Sequence, residues 1–116
     1  MSSQTPSARP VVIVELEAHL SEQGLKATLA TAEASIRKHV EPVGLLVDCR
    51  RMGSYDAAAR AHFVEWNSRM RKRIARLAVV TERQLWHMVV SGMALASRQT
   101  MKPFSEIALA RDWLER

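Results

Sequence analysis

Residues 44–56 read Gly-Leu-Leu-Val-Asp-Cys-Arg-Arg-Met-Gly-Ser-Tyr-Asp, and this stretch decides the fold. A short apolar run ends in one carboxylate, Asp48, and a glycine-containing segment then leads to an alanine-rich helical run after Asp56. This pattern predicts a buried strand over 45–48, a loop, and a helix start. Because open α/β sheets place their working surface at the carboxyl ends of their strands, we expect the functional edge here. Asp48 is expected to orient the loop by accepting backbone N–H groups.

The composition indicates one folded domain. The chain has 116 residues, of which 47% are hydrophobic and 25% charged, which suffices for one core but not for two ordinary domains. Residues 1–10 contain two prolines and three serines without hydrophobic periodicity, so we predict a disordered lead-in and a domain spanning 11–116. No apolar run approaches the roughly 20 residues of a membrane span. The polar N-terminus and the single Cys49 favour a cytoplasmic protein without an intramolecular disulfide.

Two strands and two helices are predicted before residue 75. The first strand spans 11–17, and Ser21 is placed to cap the helix that follows. The apolar positions of that helix recur at steps of three and four: Leu25, Leu29, Ala32, Ile36 and Val40. Pro42 ends it before the strand at 45–48. The second helix has Asp56 as its predicted N-cap, and its apolar face consists of Ala59, Phe63, Trp66, Met70 and Ile74.

The second half repeats the alternation. A third strand is predicted over 77–80, and Thr81 and Gln84 have the spacing of a capping box. The helix that this box opens has apolar residues on most sides between Leu85 and Ala96 and is therefore expected to be buried in more than one direction. An edge strand over 100–104 contains Pro103, and Ser105 is the predicted cap of a last helix with Ile107, Ala110, Trp113 and Leu114 on its apolar face. The order β-α-β-α-β-α-β-α predicts a single mostly parallel, mixed sheet flanked by helices.

The residues that carry chemistry do not form a catalytic set in the sequence. The four histidines are scattered, and no metal-ligand spacing, Gly-rich phosphate loop or Ser/His/Asp order is present, so we predict no enzyme, cofactor or metal. Gly53 is interpreted as a turn residue and Gly92 as a close helix contact, while Cys49 is expected to be a packed thiol. Five basic residues are interpreted as a solvated helix end rather than a nucleic-acid footprint, because few aromatic residues accompany them: Arg69, Arg71, Lys72, Arg73 and Arg76.

Several short segments, taken in order, resemble the STAS-like superfamily, in particular the bacterial branch of sporulation anti-sigma-factor antagonists. The resemblance covers nearly the whole chain and rests on these segments: the strand at 11–17 with its Ser-Glu helix start, 45–48, Tyr55-Asp56 with Ala59-Arg60, 78–81, Phe104, and 110–114. It implies the α/β fold given above and a non-enzymatic switch. In that family a partner kinase phosphorylates a hydroxyl at the start of the second helix.

This chain departs from the family pattern at the acceptor position. Where the family has Asp-Ser/Thr-Ser/Thr-Gly, residues 56–59 read Asp-Ala-Ala-Ala, so that Ala57 stands at the acceptor position and has no hydroxyl. Ser54 is the alternative acceptor, although a turn serine is favoured. The resemblance implies a regulatory protein partner, anti-sigma kinase-like or of another kind. The predicted partner-binding edge consists of Asp48, Arg51, Gly53, Ser54, Tyr55, Asp56, Ala57 and Arg60.

A two-component receiver is a minor alternative. Asp48, Thr81 and the Lys102-Pro103 pair follow the order of a receiver's phosphoacceptor, switch threonine and lysine. A receiver also needs an acidic pair to hold a divalent metal, and Glu15 and Glu17 imitate that pair only in part. A further strand and helix would also be required before Asp48.

Binding of a small apolar ligand or lipid is the alternative from a different class. The STAS-like branch is similar in fold to lipid-carrying proteins, and the third helix offers Trp86, Met88 and Met93 beyond one buried face. The competing interpretation is that this helix packs on both the sheet and the terminal helix, or forms a homodimer contact.

Overall fold

The computed structural model describes residues 8–116 and contains one four-stranded sheet. The elements are β1 (Val11–Leu20), α1 (Glu22–Ile36), β2 (Val43–Tyr55), α2 (Ala57–Arg69), β3 (Ile74–Val80), α3 (Gln84–Ser97), β4 (Met101–Phe104) and α4 (Ile107–Glu115). The strands lie in the order β1-β2-β3-β4, and all three pairings are parallel. The predicted alternation and sheet are therefore confirmed. Most of the predicted lead-in, residues 1–7, lies outside the described residues.

The consecutive strand order determines which face each helix covers. Right-handed crossovers between strands in this order place α1, α2 and α3 on the same face. The larger core lies there and includes Leu25, Leu45 and Trp66. The helix α4 covers the opposite face, where Ala110 and Leu114 pack against a smaller cluster of Leu46, Ala78 and Val80.

Gly44 allows α4 to lie directly on β2. A Cβ at this position would come 3.0 Å from Cβ of Leu114, closer than side chains normally pack. The C-terminal end of α4 is also held by two arginines: Arg76 Nη1 donates to the Trp113 carbonyl at 2.7 Å, and Arg9 Nη1 donates to the Leu114 carbonyl at 3.2 Å. Arg76, one of the five clustered basic residues, thus has a structural partner.

The predicted helix starts are confirmed at two of four positions, Ser21 and Asp56. The Ser21 hydroxyl accepts the Gly24 N–H at 3.0 Å and caps α1. Asp56 occupies the N-cap position of α2 but makes no capping hydrogen bond, because its carboxylate binds a histidine instead. The capping box at Thr81 is wrong, since the N-cap of α3 is Arg83, two residues later. Ser105 is not the cap of α4, whose N-cap is Glu106.

Two predicted helical stripes extend too far. Four residues of the first stripe, from Leu25 to Ile36, are buried, but α1 ends at Ile36 and Val40 is exposed. Ile74, assigned to the second helix, is the first residue of β3. Both errors arise because an apolar residue one helical step beyond the last turn continues the pattern without continuing the helix.

The prediction that α3 is buried on several sides is wrong. Val90 and Ser97 are its buried residues, whereas Leu85, Met88 and Leu95 are exposed. The reason is topological: α3 lies on one face of the sheet and α4 on the other, so the terminal helix cannot cover the outer side of α3. Among residues 8–116, no helix combines the length and apolar character needed to cross a membrane.

β2 does not end at Asp48, so the predicted loop over 49–55 is also wrong. The last residue pair between β2 and β3 is Asp48 with Val80, yet β2 continues beside β1 until Tyr55 pairs with Leu20. We call this two-stranded extension, residues 16–20 and 49–55, the ribbon. Two register shifts interrupt it, and Ala18 has a φ of 56°, a left-handed conformation that costs a non-glycine residue energy.

Candidate functional site

Asp48 and Arg50 form the base of the ribbon. Asp48 is buried, and its carboxylate accepts two side-chain hydrogen bonds from Arg50, from Nε at 2.9 Å and from Nη2 at 2.8 Å. The Arg50 backbone N–H also donates to Asp48 Oδ1 at 3.1 Å, which confirms the predicted role of Asp48 as an acceptor of backbone N–H. The Arg50 guanidinium is the main cause that lowers the pKa of Asp48, against the opposing effect of burial.

Further charged side chains surround this pair. A polar hollow at the carboxyl end of the sheet is lined by Asp48, Arg50, Glu15, Glu17, Arg51 and Glu82. Arg51 lies 3.8 Å from Glu17, and both side chains are largely exposed. The hollow therefore presents both signs of charge to solvent, and its guanidinium groups are suited to carboxylate or phosphate partners.

The tip of the ribbon carries a row of three polar side chains. His19 is paired with Ser54 across the two strands, and its Nδ1 lies 2.7 Å from the Ser54 hydroxyl oxygen. Its Nε2 lies 2.8 Å from Asp56 Oδ1. A histidine whose Nε2–H donates to Asp56 has a free Nδ1 lone pair that accepts the Ser54 hydroxyl proton. Residues that show no Ser/His/Asp order along the chain are thus brought together in space by the fold.

This row is open to solvent. The side chains of His19 and Asp56 are each about half exposed, at 53% and 47%. Such open surroundings do not strengthen electrostatic interactions as an enclosed active site does. The contacts join β1, β2 and the start of α2, so the tip of the ribbon is fixed to the helix that follows it. Ala57 is exposed at the first position of that helix.

The opposite face of the ribbon borders an apolar cavity. Tyr55 packs edge-on against Trp86, with ring centroids 5.7 Å apart, and the Arg83 guanidinium lies 4.8 Å from the Trp86 ring centroid. The cavity has a volume of about 60 Å³, and its walls include Leu20, Met52, Phe63, Arg60 and Met93. Trp86 and Met93 thus lie where the apolar-ligand hypothesis requires, whereas Met88 is exposed and does not line the cavity.

Cys49 is buried and lies on the wall of the apolar cavity. Burial, together with the neighbouring Asp48 charge, raises the pKa of its thiol to about 12. A thiol of this kind stays protonated near neutral pH and is a poor nucleophile. This agrees with the expected packed thiol.

The receiver alternative is contradicted by the fold. The sheet has four strands, and one helix separates β1 from Asp48. The Asp48 carboxylate is occupied by Arg50, and Lys102 lies over the rings of Phe104 and Trp113, 5.4 and 5.9 Å from their centroids. In residues 8–116, no three His, Cys, Asp or Glu side chains are grouped to hold a metal ion.

The predicted edge residues are divided among three locations. Asp48 and Arg51 line the polar hollow, Ser54 and Asp56 lie at the tip, and Tyr55 and Arg60 contact the cavity on the other face. Gly53 is a strand residue rather than a turn residue, and its φ is not positive.

Sequence reasoning missed two residues, Arg50 and His19. Arg50 stands two positions after Asp48, and two residues at this spacing lie on the same face of a strand. The pairing was missed because residues 49–55 were predicted to form a loop rather than a strand. His19 gave no signal of its own, because its partners are 35 and 37 positions away in the chain.

Comparisons with known proteins identify the family and the fold of the chain. The family model described as SpoIIAA-like matches residues 11–115. Among solved structures, the chain is similar to an uncharacterized protein of the DUF3478 family with a SpoIIAA-like fold from Shewanella loihica PV-4. The TM-score is 0.72 at 16% identity, with 88% of this chain and 82% of that chain covered. No curated protein matches the chain.

Proposed function

Since this chain belongs to the SpoIIAA-like family, we propose that it is a non-catalytic interaction module whose ribbon binds a regulatory protein. The family match and the fold confirm that the chain is a STAS-like domain. The partner class, an anti-sigma kinase-like protein or another regulator, is part of the proposal. A bacterial cytoplasmic location belongs to it as well and is supported by the free thiol of Cys49.

The observation that carries the proposal is the ribbon itself. Past Asp48, β2 pairs with β1 only, so within residues 8–116 the backbone of 49–55 has no strand partner on its other side. Unpaired strand edges bind extended segments of other proteins by main-chain hydrogen bonds. The exposed Arg51, Ser54 and Asp56 side chains beside this edge supply polar contacts that select the partner.

In this proposal, phosphorylation does not control the binding of the partner to the ribbon. Ala57 has no hydroxyl, and a phosphate on Ser54 would displace the His19 hydrogen bond and add negative charge near Asp56. We therefore expect the native protein to carry no phosphate on this edge.

A photo-crosslinking experiment in expressing cells tests the partner site. A photoreactive amino acid replaces Arg51 or Ser54 in two separate chains, and Val40, an exposed residue outside the ribbon, in a control chain. We expect the two ribbon positions to capture one common protein that the Val40 position does not capture. Equal capture from Val40, or none from the ribbon, contradicts the proposal. The intact mass of the same protein reports phosphate directly.

A second candidate function, binding of a small apolar molecule, is favoured by the cavity under the ribbon. Its lining is almost wholly apolar and includes Trp86 and Met93. Its volume of about 60 Å³ is well below the roughly 150 Å³ of a cavity that binds benzene, so an acyl chain would require α3 to move outward. Native mass spectrometry of the purified protein tests this candidate: a retained apolar adduct supports it, and the bare polypeptide mass contradicts it.

A further inference from the structure

The outer side of α3 carries an apolar stripe that nothing in the described structure covers. Leu85, Met88 and Leu95 are 76%, 72% and 83% exposed. Gly92 completes the stripe, and a Cβ built on it would meet no atom within 4 Å. The predicted close helix contact at Gly92 is therefore not made by any of residues 8–116. Contiguous exposed apolar side chains mark association surfaces more often than isolated ones do.

The spacing of the stripe is the same in both directions along the helix. Its members are separated by three, four and three residues, the pattern by which two helices pack along a seam. Leu85 and Leu95 lie equally far from Val90, and so do Met88 and Gly92. In an antiparallel pair with its two-fold axis level with Val90, Leu85 faces Leu95 of the second copy, and the long Met88 side chain faces the open space at Gly92.

Three exposed charged residues stand at the ends of α3; the guanidinium of Arg83 lies over the Trp86 ring, 4.8 Å from its centroid, and the other two favour the same orientation. Glu82 precedes the helix and Arg98 is its C-cap, each eight positions from Val90, and both are exposed. Antiparallel pairing brings Glu82 of each copy level with Arg98 of the other. Parallel pairing would instead bring like charges level, and it would also align the two helix dipoles unfavourably.

We propose that this stripe is the interface of an antiparallel homodimer formed by two copies of α3. We infer a second copy of this chain as the partner because the stripe is complementary to itself: each residue pair across the seam comes from the same set of residues on both copies, as a two-fold interface requires. A contact restricted to one helix pair falls below the roughly 1,200 Å² of stable complexes, so the dimer is weak and depends on concentration. The stripe faces away from the sheet and does not include the ribbon, so this inference and the proposed function can fail separately.

Sedimentation equilibrium from about 10 µM to about 1 mM measures the association, a range that covers weak complexes. We expect the wild-type mass to rise toward the dimer across this range. Met88→Glu is expected to weaken association at least tenfold, because it places two carboxylates in the seam. The control is Val40→Glu, which makes the same kind of change at an exposed apolar residue outside the stripe. This variant should associate as strongly as the wild type. A monomer at all concentrations, or a dimer insensitive to Met88→Glu, overturns the proposal.

Disulfide trapping tests the orientation. Chains with Leu85→Cys and with Leu95→Cys should form a covalent dimer when mixed and oxidised, since these positions face each other. Neither chain alone should crosslink efficiently, because in the antiparallel pair identical positions lie about 15 Å apart along the axis. Cys49 is buried and provides no competing thiol. Efficient crosslinking of the Leu85→Cys chain alone would show a parallel pair and overturn the antiparallel arrangement.

Discussion

The first half of β2 is buried on both faces, and the second half of the same strand forms the exposed ribbon. Residues 43–48 lie between β1 and β3, with α4 on one side and α1 to α3 on the other. Beyond Asp48 the strand loses β3, its register shifts twice, and its exposed side chains are mostly polar or charged. One strand therefore contributes a buried half to the core and an exposed half to the ribbon, which is the partner-binding surface in the proposed function.

Removal of the end of α4 should have the largest effect on the stability of the protein, because it exposes the buried half of β2 to solvent. Truncation after Ala110 deletes Trp113 and the fully buried Leu114. Burial of such side chains contributes several kcal/mol, a large part of the 5 to 15 kcal/mol by which small domains are stable. We expect loss of the cooperative thermal transition in circular dichroism.

Two single substitutions in α4 show whether this effect comes from burial. Leu114→Ala should cost about 2–5 kcal/mol, whereas Leu109→Ala, at a residue that is 56% exposed, should cost less than about 1 kcal/mol. A truncated chain that melts at the full-length temperature would show that α4 contributes nothing to the core.

The two glycines of β2 offer a direct comparison between its halves. Gly44→Val places a Cβ 3.0 Å from that of Leu114, so we expect a loss of about 1–3 kcal/mol in the free energy of unfolding. Gly53→Val meets only the Ala18 carbonyl oxygen, at 4.0 Å, and should change stability by less than about 0.5 kcal/mol. Urea denaturation of both variants measures the difference, and equal losses would contradict the division of β2 into two regions.

Asp48→Ala should loosen the ribbon without unfolding the sheet. The substitution removes three hydrogen bonds to Arg50, and amides of 49–55 should exchange about tenfold faster, which corresponds to about 1.4 kcal/mol. Amides of β3 should keep their protection. Glu17→Ala, which removes an exposed ion pair to the same ribbon, is the control. Unchanged exchange over 49–55 would remove the structural role of Asp48.

The same carboxylate gives the ribbon a dependence on pH. Because the folded-state pKa of Asp48 is lowered, its contribution to stability is fully present above the unfolded pKa of about 3.9 and is lost as the pH falls through the lower folded value. Hydrogen exchange of the ribbon should therefore accelerate below about pH 4 beyond its intrinsic change. In Asp48→Asn this additional acceleration should be much reduced, and an identical acid profile would contradict the assignment to Asp48.

Loss of the row at the tip should have the smallest effect on stability. His19→Ala removes exposed hydrogen bonds to Ser54 and Asp56, and such surface contacts contribute less than about 1 kcal/mol. We expect an unchanged melting temperature but greater mobility of residues 53–56 in NMR relaxation, with His39→Ala as the control. A large fall in stability would show that the tip belongs to the core.

The sequence was a reliable guide wherever burial is periodic. The helix faces from Leu25 to Ile36 and from Ala59 to Met70 are buried as predicted, and so are the strand at 45–48 and the residues Ala110 and Leu114 of α4. In these regions a residue is buried or exposed according to the face of the helix or strand on which it lies, so the spacing of apolar residues predicts burial. Past Asp48 the register shifts disturb the alternation of side chains, and the pattern of a strand was mistaken for a loop.

The sequence by itself determined the element order, the parallel sheet and the missing hydroxyl at Ala57, because helix and strand periodicity and side-chain chemistry are local properties. Only the tertiary structure decided that the His19 ring lies within hydrogen-bond distance of both Ser54 and Asp56, and that the Arg50 guanidinium pairs with the Asp48 carboxylate. It also decided that the apolar side of α3 is exposed, since α4 covers the opposite face of the sheet. Such relations depend on which surfaces meet after the chain folds, and no local pattern records them.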